Sequence, residues 1–402
     1  MRRWSEVAER VAGTTKTSVK TAILAEYLAS LAPDELRVAA VFLAGRPFPE
    51  ADQRSVGVGW AGLTGAVLRV ARADGDALRR AYDRSSDVAT AVTDVLAEAG
   101  HAPHPAGEPT VIEVRAAFEA AEAASGAVAK AAVLEALLER SSPRTAGAIV
   151  KVLGGELRIG LRDGLLEAAI AKAFGRQLAD VKRAGMLTGD VGRTAILARE
   201  DRLGEAAMAL FHPLRFMLAS PAEDAAEIMT RLGPTVWVED KYDGIRAQLH
   251  RAGDEVRLYS RDLPWAGILD GELLAWKDGT VLPFLRLQAR LGRKSPSAAI
   301  LAEVPVIYVA WDVLGLDRDG DAVVVPLLGV PLAERRRRLE ALDLPLAADG
   351  GRFALSHLAT VDSADGLEAA FAEARARRNE GLMVKDPGSG YSPGRRAWAG
   401  SR

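Results

Sequence analysis

The segment EDKYDGIR, Glu239 to Arg246, ends an apolar stretch in a lysine, Lys241, and follows it with a turn that contains Asp243 and Gly244. A lysine becomes a nucleophile when desolvation or nearby cations favour its neutral amine, and a glycine turn lets a phosphate approach the backbone. Covalent chemistry on phosphorus at Lys241 is therefore open to this chain. Taken alone, the same residues also fit a hairpin in which Lys241 and Asp243 are solvated. Further candidates follow in order: Arg261 in YSR, Glu272 in LDGELLAW, Trp311 in YVAWDVLG, Glu380 in EGLMVKD and Arg396 in GYSPGRRAW. A flat π face suits a purine, an arginine fork matches a phosphate, and a carboxylate serves a hard divalent cation. Without further context Trp311 fits plain core better, and Glu272 and Glu380 fit ordinary ion pairs equally well.

These residues need strands to hold them. After Pro234 the chain shows short alternating segments, TVWVEDKYDG, RAQLHRA, EVRLYSR, GILDGELLAW, PVIYVAWDVLG and GLMVKD, interrupted by the helical stretches AERRRRLEAL and GLEAAFAEARARR. This predicts an α+β domain on antiparallel sheet. The first half is different: TAILAEYLASL, DALRRAYDRSSDVATAVTDVLAEAG, VIEVRAAFEAAEAA, GAVAKAAVLEALLERSS and DGLLEAAIAKAFG place Ala and Leu at helical spacing, with Gly and Pro at the joins. The reading is multidomain, with an all-α unit over 1–207 and an α+β unit over 208–402.

With 402 residues and 49% hydrophobic residues the chain can build real cores, and without cysteine it holds neither a disulfide framework nor thiolate chemistry. No signal peptide and no long apolar run is evident, so a soluble, cytoplasmic protein without membrane partners is expected. A net charge of -2 requires that any surface for nucleic acid be a segregated basic patch. The five histidines lack zinc-site spacing, and GTTKTS at Gly13 to Ser18 lacks the glycine that a P-loop needs before its lysine. Arg335 to Arg338 read as a solvated helix face, Asp270 and Asp312 as structural carboxylates and Trp276 as core, while Lys385 could reach a phosphate or be a solvated strand lysine.

In this order, KYDGIR, YSR, LDGELLAW, YVAWDVLG and EGLMVKD resemble the nucleotidyltransferase superfamily of ATP-dependent ligases and capping enzymes. The helical half with LGGELRIGLRDGLLEAAIAKAFG, followed by PLRFMLAS, is similar to replicative-type DNA ligases of the bacterial and archaeal style. The resemblance spans nearly the whole chain. It implies a DNA-binding domain at 1–207 and an ATP-grasp-like adenylation (nucleotidyltransferase) domain at 208–402. It makes Lys241 the adenylated nucleophile and Glu239 the adenine contact. Arg246 and Arg261 would hold ribose and phosphate, Glu272 would sit by ribose and metal, Trp311 would stack on adenine, Glu380 would be the second metal-side carboxylate, and Arg396 would be a late nucleotide contact. Arg158, Gly160 and Arg162 would meet the DNA backbone in a turn before a helix N-terminus, although a capped helix with surface arginines fits them as well. The implied co-substrate is ATP, the ion Mg2+, the partner nicked duplex DNA, and the expected state a monomer active in repair and replication.

Two features depart from the family pattern. The chain stops at RRAWAGSR, where family members continue with a WLKxK-like motif and an OB-fold, so a truncated chain without the OB-fold is expected. Between Arg261 and Asp270 about two dozen residues common in the family are missing, a link too short for a helix. The alternatives are a ligase remnant that binds DNA without sealing it, and an RNA ligase or capping-type enzyme, which would not need the long helical half.

Overall fold

The computed structural model describes residues 1–52, 54–103, 107–155, 157–161, 163–214, 216–252, 255–257, 267–277, 279–291, 297–317, 324–377, 379–393 and 396–401, with backbone alone at 163, 252, 255–257, 317 and 396–401. Arg162 and Arg261 lie outside the described residues. The chain divides into two compact units, Met1–Ala207 and Met208–Arg402.

The first unit contains twelve α-helices and no strand among its described residues. Alanine-rich stretches favour helix, and short polar side chains at some of the joins cap the helix that follows. Thr110 and Glu113 form a reciprocal capping box at Val111–Ala123, and Ser142 caps Pro143–Gly154 with proline at its first position. The stretch DALRRAYDRSSDVATAVTDVLAEAG is two helices, Ala77–Ser85 and Val88–Glu98. Ser86 takes a φ of 53°, and the Asp87 side chain accepts Thr90 N–H at 2.8 Å, which ends one helix and starts the next. One core gathers around Trp4, Phe42 and Phe118, whose rings meet edge to face with centroids 6.4 and 5.8 Å apart. A second gathers around Leu78, Val92, Leu96 and Leu138.

The second unit has strands β1 (Leu218–Pro221), β2 (Val236–Lys241), β3 (Ile245–Ala252), β4 (Glu255–Arg257), β5 (Gly267–Lys277), β6 (Thr280–Val281), β7 (Val306–Asp317), β8 (Val324–Pro326), β9 (Phe353–Leu355), β10 (Leu358–Val361), β11 (Gly381–Lys385) and β12 (Arg396–Ser401). One sheet runs β1-β12-β11-β2-β10. The other runs β4-β3-β5-β7-β8, with β6 on β5 and β9 on β7. Pairing is antiparallel except for β1 with β12 and β7 with β9.

Helices Ala225–Leu232 and Ala364–Ala376 cover one face of the first sheet through Ile228, Val236, Val238, Leu367 and Val384. Its other face is thereby left for polar side chains. In the second sheet Leu249, Leu269, Tyr308 and Ala310 pack with Leu339 and Phe353. Helix Leu332–Glu340, which carries Leu339, overturns the expectation of a solvated arginine face. Arg335 and Arg336 are buried, and only Arg337 and Arg338 of the run face water. Four consecutive residues sweep most of the way round a helix, so Arg335 and Arg336 fall on the face of Leu332 and Leu339, where Asp312 receives the first and Ser356 with Glu340 the second.

Candidate active site

Strand β2 builds the site by alternation. Val236 and Val238 point to the covering helices, and so does Asp240, which takes a two-pronged bond from Arg377 at 2.7 and 3.0 Å. Glu239 and Lys241 consequently point the other way. On neighbouring β11 the cross-strand pairs Gly381 with Lys241 and Met383 with Glu239 put Met383 and Lys385 on that same side. These residues, with Arg246 of β3, Glu272 of β5, Trp311 of β7 and Glu380 just before β11, line one cavity of about 670 Å³. That volume lies within the usual range for a small-molecule site.

Lys241 is half-exposed, and its Nζ donates to Glu380 Oε2. The backbone repeats the link, because Glu380 N–H donates to Lys241 carbonyl oxygen at 2.8 Å. Glu239 is buried at 2% exposure. Its Oε2 accepts from Lys385 Nζ at 2.6 Å, while Oε1 has no hydrogen-bond partner and a guanidinium nitrogen of Arg336 stands 3.9 Å away. A buried carboxylate oxygen without a donor is costly, so this atom is an acceptor waiting for a ligand N–H.

Trp311 owes its position to a β-bulge. Asp270 pairs with Asp312 and Gly271 with Ala310, so Trp311 is the extra residue on β7. Bulges of this kind re-aim a side chain, and the indole here faces the cavity with Lys385 Nζ 5.8 Å and the Arg246 guanidinium 5.5 Å from its ring. Arg246 is tightly held. It bonds Asp270 at 2.8 and 3.3 Å, the Met217 carbonyl at 2.6 Å and Tyr391 Oη at 3.3 Å, and Tyr391 in turn donates to Asp270 at 2.7 Å. All but one of its N–H groups are thus engaged, and that one is what remains for a ligand.

Glu272 faces Arg246 directly across β3 and β5. Burial pushes its carboxyl up to about 7; Arg246 pulls it down, while Asp270, Glu380 and Asp243 add to the rise. Among the described residues no group of three His, Cys, Asp or Glu is arranged around a metal position. Two carboxylates with phosphate oxygens to complete the shell suit Mg2+, which seldom relies on an all-protein cage.

Gly244, which lines the cavity, also has a packing reason. A side chain there would come within 2.6 Å of the Leu273 carbonyl oxygen and 2.7 Å of the Glu272 side chain, so the glycine admits β5. Of the remaining expected residues, Arg396 begins β12, and its side chain is outside what is described. Arg158 and Gly160 lie in the first unit before helix Asp163–Phe174, both left-handed with φ of 49° and 62°. Arg158 donates to Ser86 carbonyl oxygen at 3.2 Å and stands 3.7 Å from Asp87. The buried Lys20 ammonium holds this turn through Ile159 and Gly160 carbonyls at 2.6 and 3.3 Å.

Sequence reasoning missed Met383 and Tyr391 as cavity residues and left Lys385 between a phosphate contact and a solvated lysine. Strand alternation places Lys385 with Glu239 once β11 is paired to β2, but the pairing is long-range and invisible in GLMVKD alone. Nothing in GYSPG marks Tyr391.

Comparison with known proteins adds the following. A family model described as DNA ligase N terminus matches residues 1–171, and one described as ATP dependent DNA ligase domain matches 216–264 and 265–399. The chain is 40% identical to "Probable DNA ligase" of Koribacter versatilis across 98% of this chain and 73% of that protein. It is 37% identical to a protein of the same description from Opitutus terrae, over 99% of this chain and 49% of the other, so it spans about half of that relative. The solved structure of Pmar-Lig_Pre is similar in fold, with a TM-score of 0.57 at 14% identity, covering 99% of this chain and 77% of that one. No helix among the described residues is long and apolar enough to cross a membrane.

Proposed function

The chain belongs to the ATP-dependent DNA ligase family, and from that premise we propose that it joins nicked duplex DNA through AMP carried covalently on Lys241. Three transfers make up the reaction. Lys241 Nζ first passes one proton through Glu380, the carboxylate that touches it, to water; the neutral amine then bonds to the α-phosphorus of ATP as the bond to pyrophosphate breaks, and the second nitrogen proton leaves with the pyrophosphate. A 5′-phosphate oxygen at the nick then takes the AMP phosphorus, the N–P bond breaks and Lys241 is reprotonated. Finally the 3′-hydroxyl oxygen bonds to the 5′-phosphate, its proton passes to water, and AMP departs as its bond to that phosphate breaks.

The observation that carries this reading is the shared wall of Glu239 and Lys241, two residues apart on one strand face. The unbonded Glu239 Oε1 suits the exocyclic amine of adenine, Trp311 offers a flat face to the ring, and Lys241 lies further along the same strand. Such a purine, fixed at one end, presents its α-phosphate to a defined amine, and alignment of this kind supplies much of the catalysis of phosphoryl transfer. Glu272 and Glu380 are the residues that would hold Mg2+, whose charge would offset that of the triphosphate. Arg158 and Gly160, with Arg162, are assigned to the DNA backbone.

The test is incubation with α-labelled ATP and magnesium followed by denaturing electrophoresis. A labelled protein band that is absent in Lys241→Ala is expected. A band of equal strength in that variant, or no band in the parent chain, overturns the assignment of Lys241.

A further inference from the structure

We propose that the first unit carries a stacking site for an unpaired nucleotide of a DNA strand, formed by Trp60 and Tyr82 beside Lys151 and Arg158. The inference rests on DNA being the partner and adds which feature of it is read.

Trp60 and Tyr82 are 51% and 39% exposed, although both belong to helices with well-filled cores. Their centroids are 5.9 Å apart and their planes meet at 64°, so they form a corner whose flat surface remains open. That corner opens on a cavity of about 340 Å³ that Lys151 and Arg158 also line, with Asp87 as its acidic member. An exposed aromatic corner on a surface with two cations matches a base on its π face with its phosphate on the cations. A base within a duplex has both faces covered by its neighbours and cannot use such a corner, which selects an unpaired one. Arg158 belongs at once to this cavity and to the turn held by Lys20, so the site continues the surface assigned to DNA.

The experiment uses the full chain and three probes: a nicked duplex, the same duplex with a short single-stranded thymidine gap, and free thymidine monophosphate. Binding is followed by fluorescence anisotropy for Trp60→Ala and Trp60→Phe, with circular dichroism as the control for folding. Trp60→Ala is expected to weaken gapped DNA by about tenfold, the order of one lost base stack, while nicked duplex changes by less than about twofold. Trp60→Phe, which keeps a ring, is expected to retain most of the preference. The proposal is overturned by unchanged binding of the gapped probe in Trp60→Ala, by equal loss on both duplexes, or by displacement of the gapped strand by millimolar free nucleotide. Failure of the parent chain to bind nicked duplex, with Trp60-dependent capture of the gapped strand retained, would sink the reading of a nick as the substrate and leave this site standing.

Discussion

Lys385 and Glu239, on adjacent strands β11 and β2, share a 2.6 Å bond that satisfies one carboxylate oxygen and leaves the other buried without a donor. The Glu239 side chain is 3% exposed and that of Lys385 17%, so little water compensates if the pair is broken. Lys385→Met is expected to destabilise the chain by about 3 kcal/mol, because a buried carboxylate loses its cation. Glu239→Met/Lys385→Met should recover most of that loss, since neither charge is then stranded. ATP binding should remain weak in the double variant, where the acceptor itself is gone. Urea denaturation and calorimetric titration with ATP check the two halves. A double variant as unstable as Lys385→Met would show that the bond is not what matters.

Glu272 makes stability depend on pH. Its folded carboxyl titrates at about 7 against an ordinary 4.5, chiefly from burial, with Asp270, Glu380 and Asp243 contributing and Arg246 opposing. A raised carboxyl contributes stability in full below about 4.5, and that contribution is lost as pH rises through about 7, where the buried group must ionise. Glu272→Gln, which stays neutral, should therefore raise the melting temperature at pH 8 and change it little at pH 4.5. The gap is worth up to about 3 kcal/mol at 1.36 kcal/mol per pKa unit. Thermal melts of both proteins across this range are the measurement. An equal difference at both ends of the range would show that Glu272 is not raised.

Strands were legible because their side chains alternate, and the site inherits that clarity: Glu239, Lys241, Arg246, Glu272, Trp311 and Glu380 do line one cavity. What remained hidden was whatever long-range pairing decides. Lys385 read as a phosphate contact or a solvated lysine, and its bond to Glu239 emerges only when β11 is laid against β2. Arg335 and Arg336 read as surface because hydrophilicity is local, whereas the carboxylate that receives Arg335, Asp312, comes from a strand 23 residues away in sequence. Asp270 and Asp312 as structural carboxylates fit this picture, since Asp270 anchors the partly buried Arg246 and Asp312 the buried Arg335. The helical half showed its class through Ala and Leu spacing, but the break at Ser86 depends on a cap and a single left-handed residue.

The Asp312–Arg335 pair also gives a sharp test of how the Trp311 bulge is fixed. The side chains are 4% and 2% exposed and joined by two bonds, at 2.8 and 2.9 Å. The same guanidinium reaches the Val330 and Ser389 carbonyls, so it ties β7 to the turn that leads to Tyr391. Removing either partner alone strands a charge in the interior, and Arg335→Met or Asp312→Leu should each cost about 3 to 5 kcal/mol. The double variant should cost clearly less than their sum, because the second substitution removes the charge that the first had stranded. A Trp311-sensitive readout separates packing from charge: nucleotide quenching of indole fluorescence, corrected with a Trp311→Phe control, should fall in the double variant even where stability returns. Additive costs in urea denaturation, with quenching unchanged, would mean that the pair neither couples the two segments nor holds Trp311 in place.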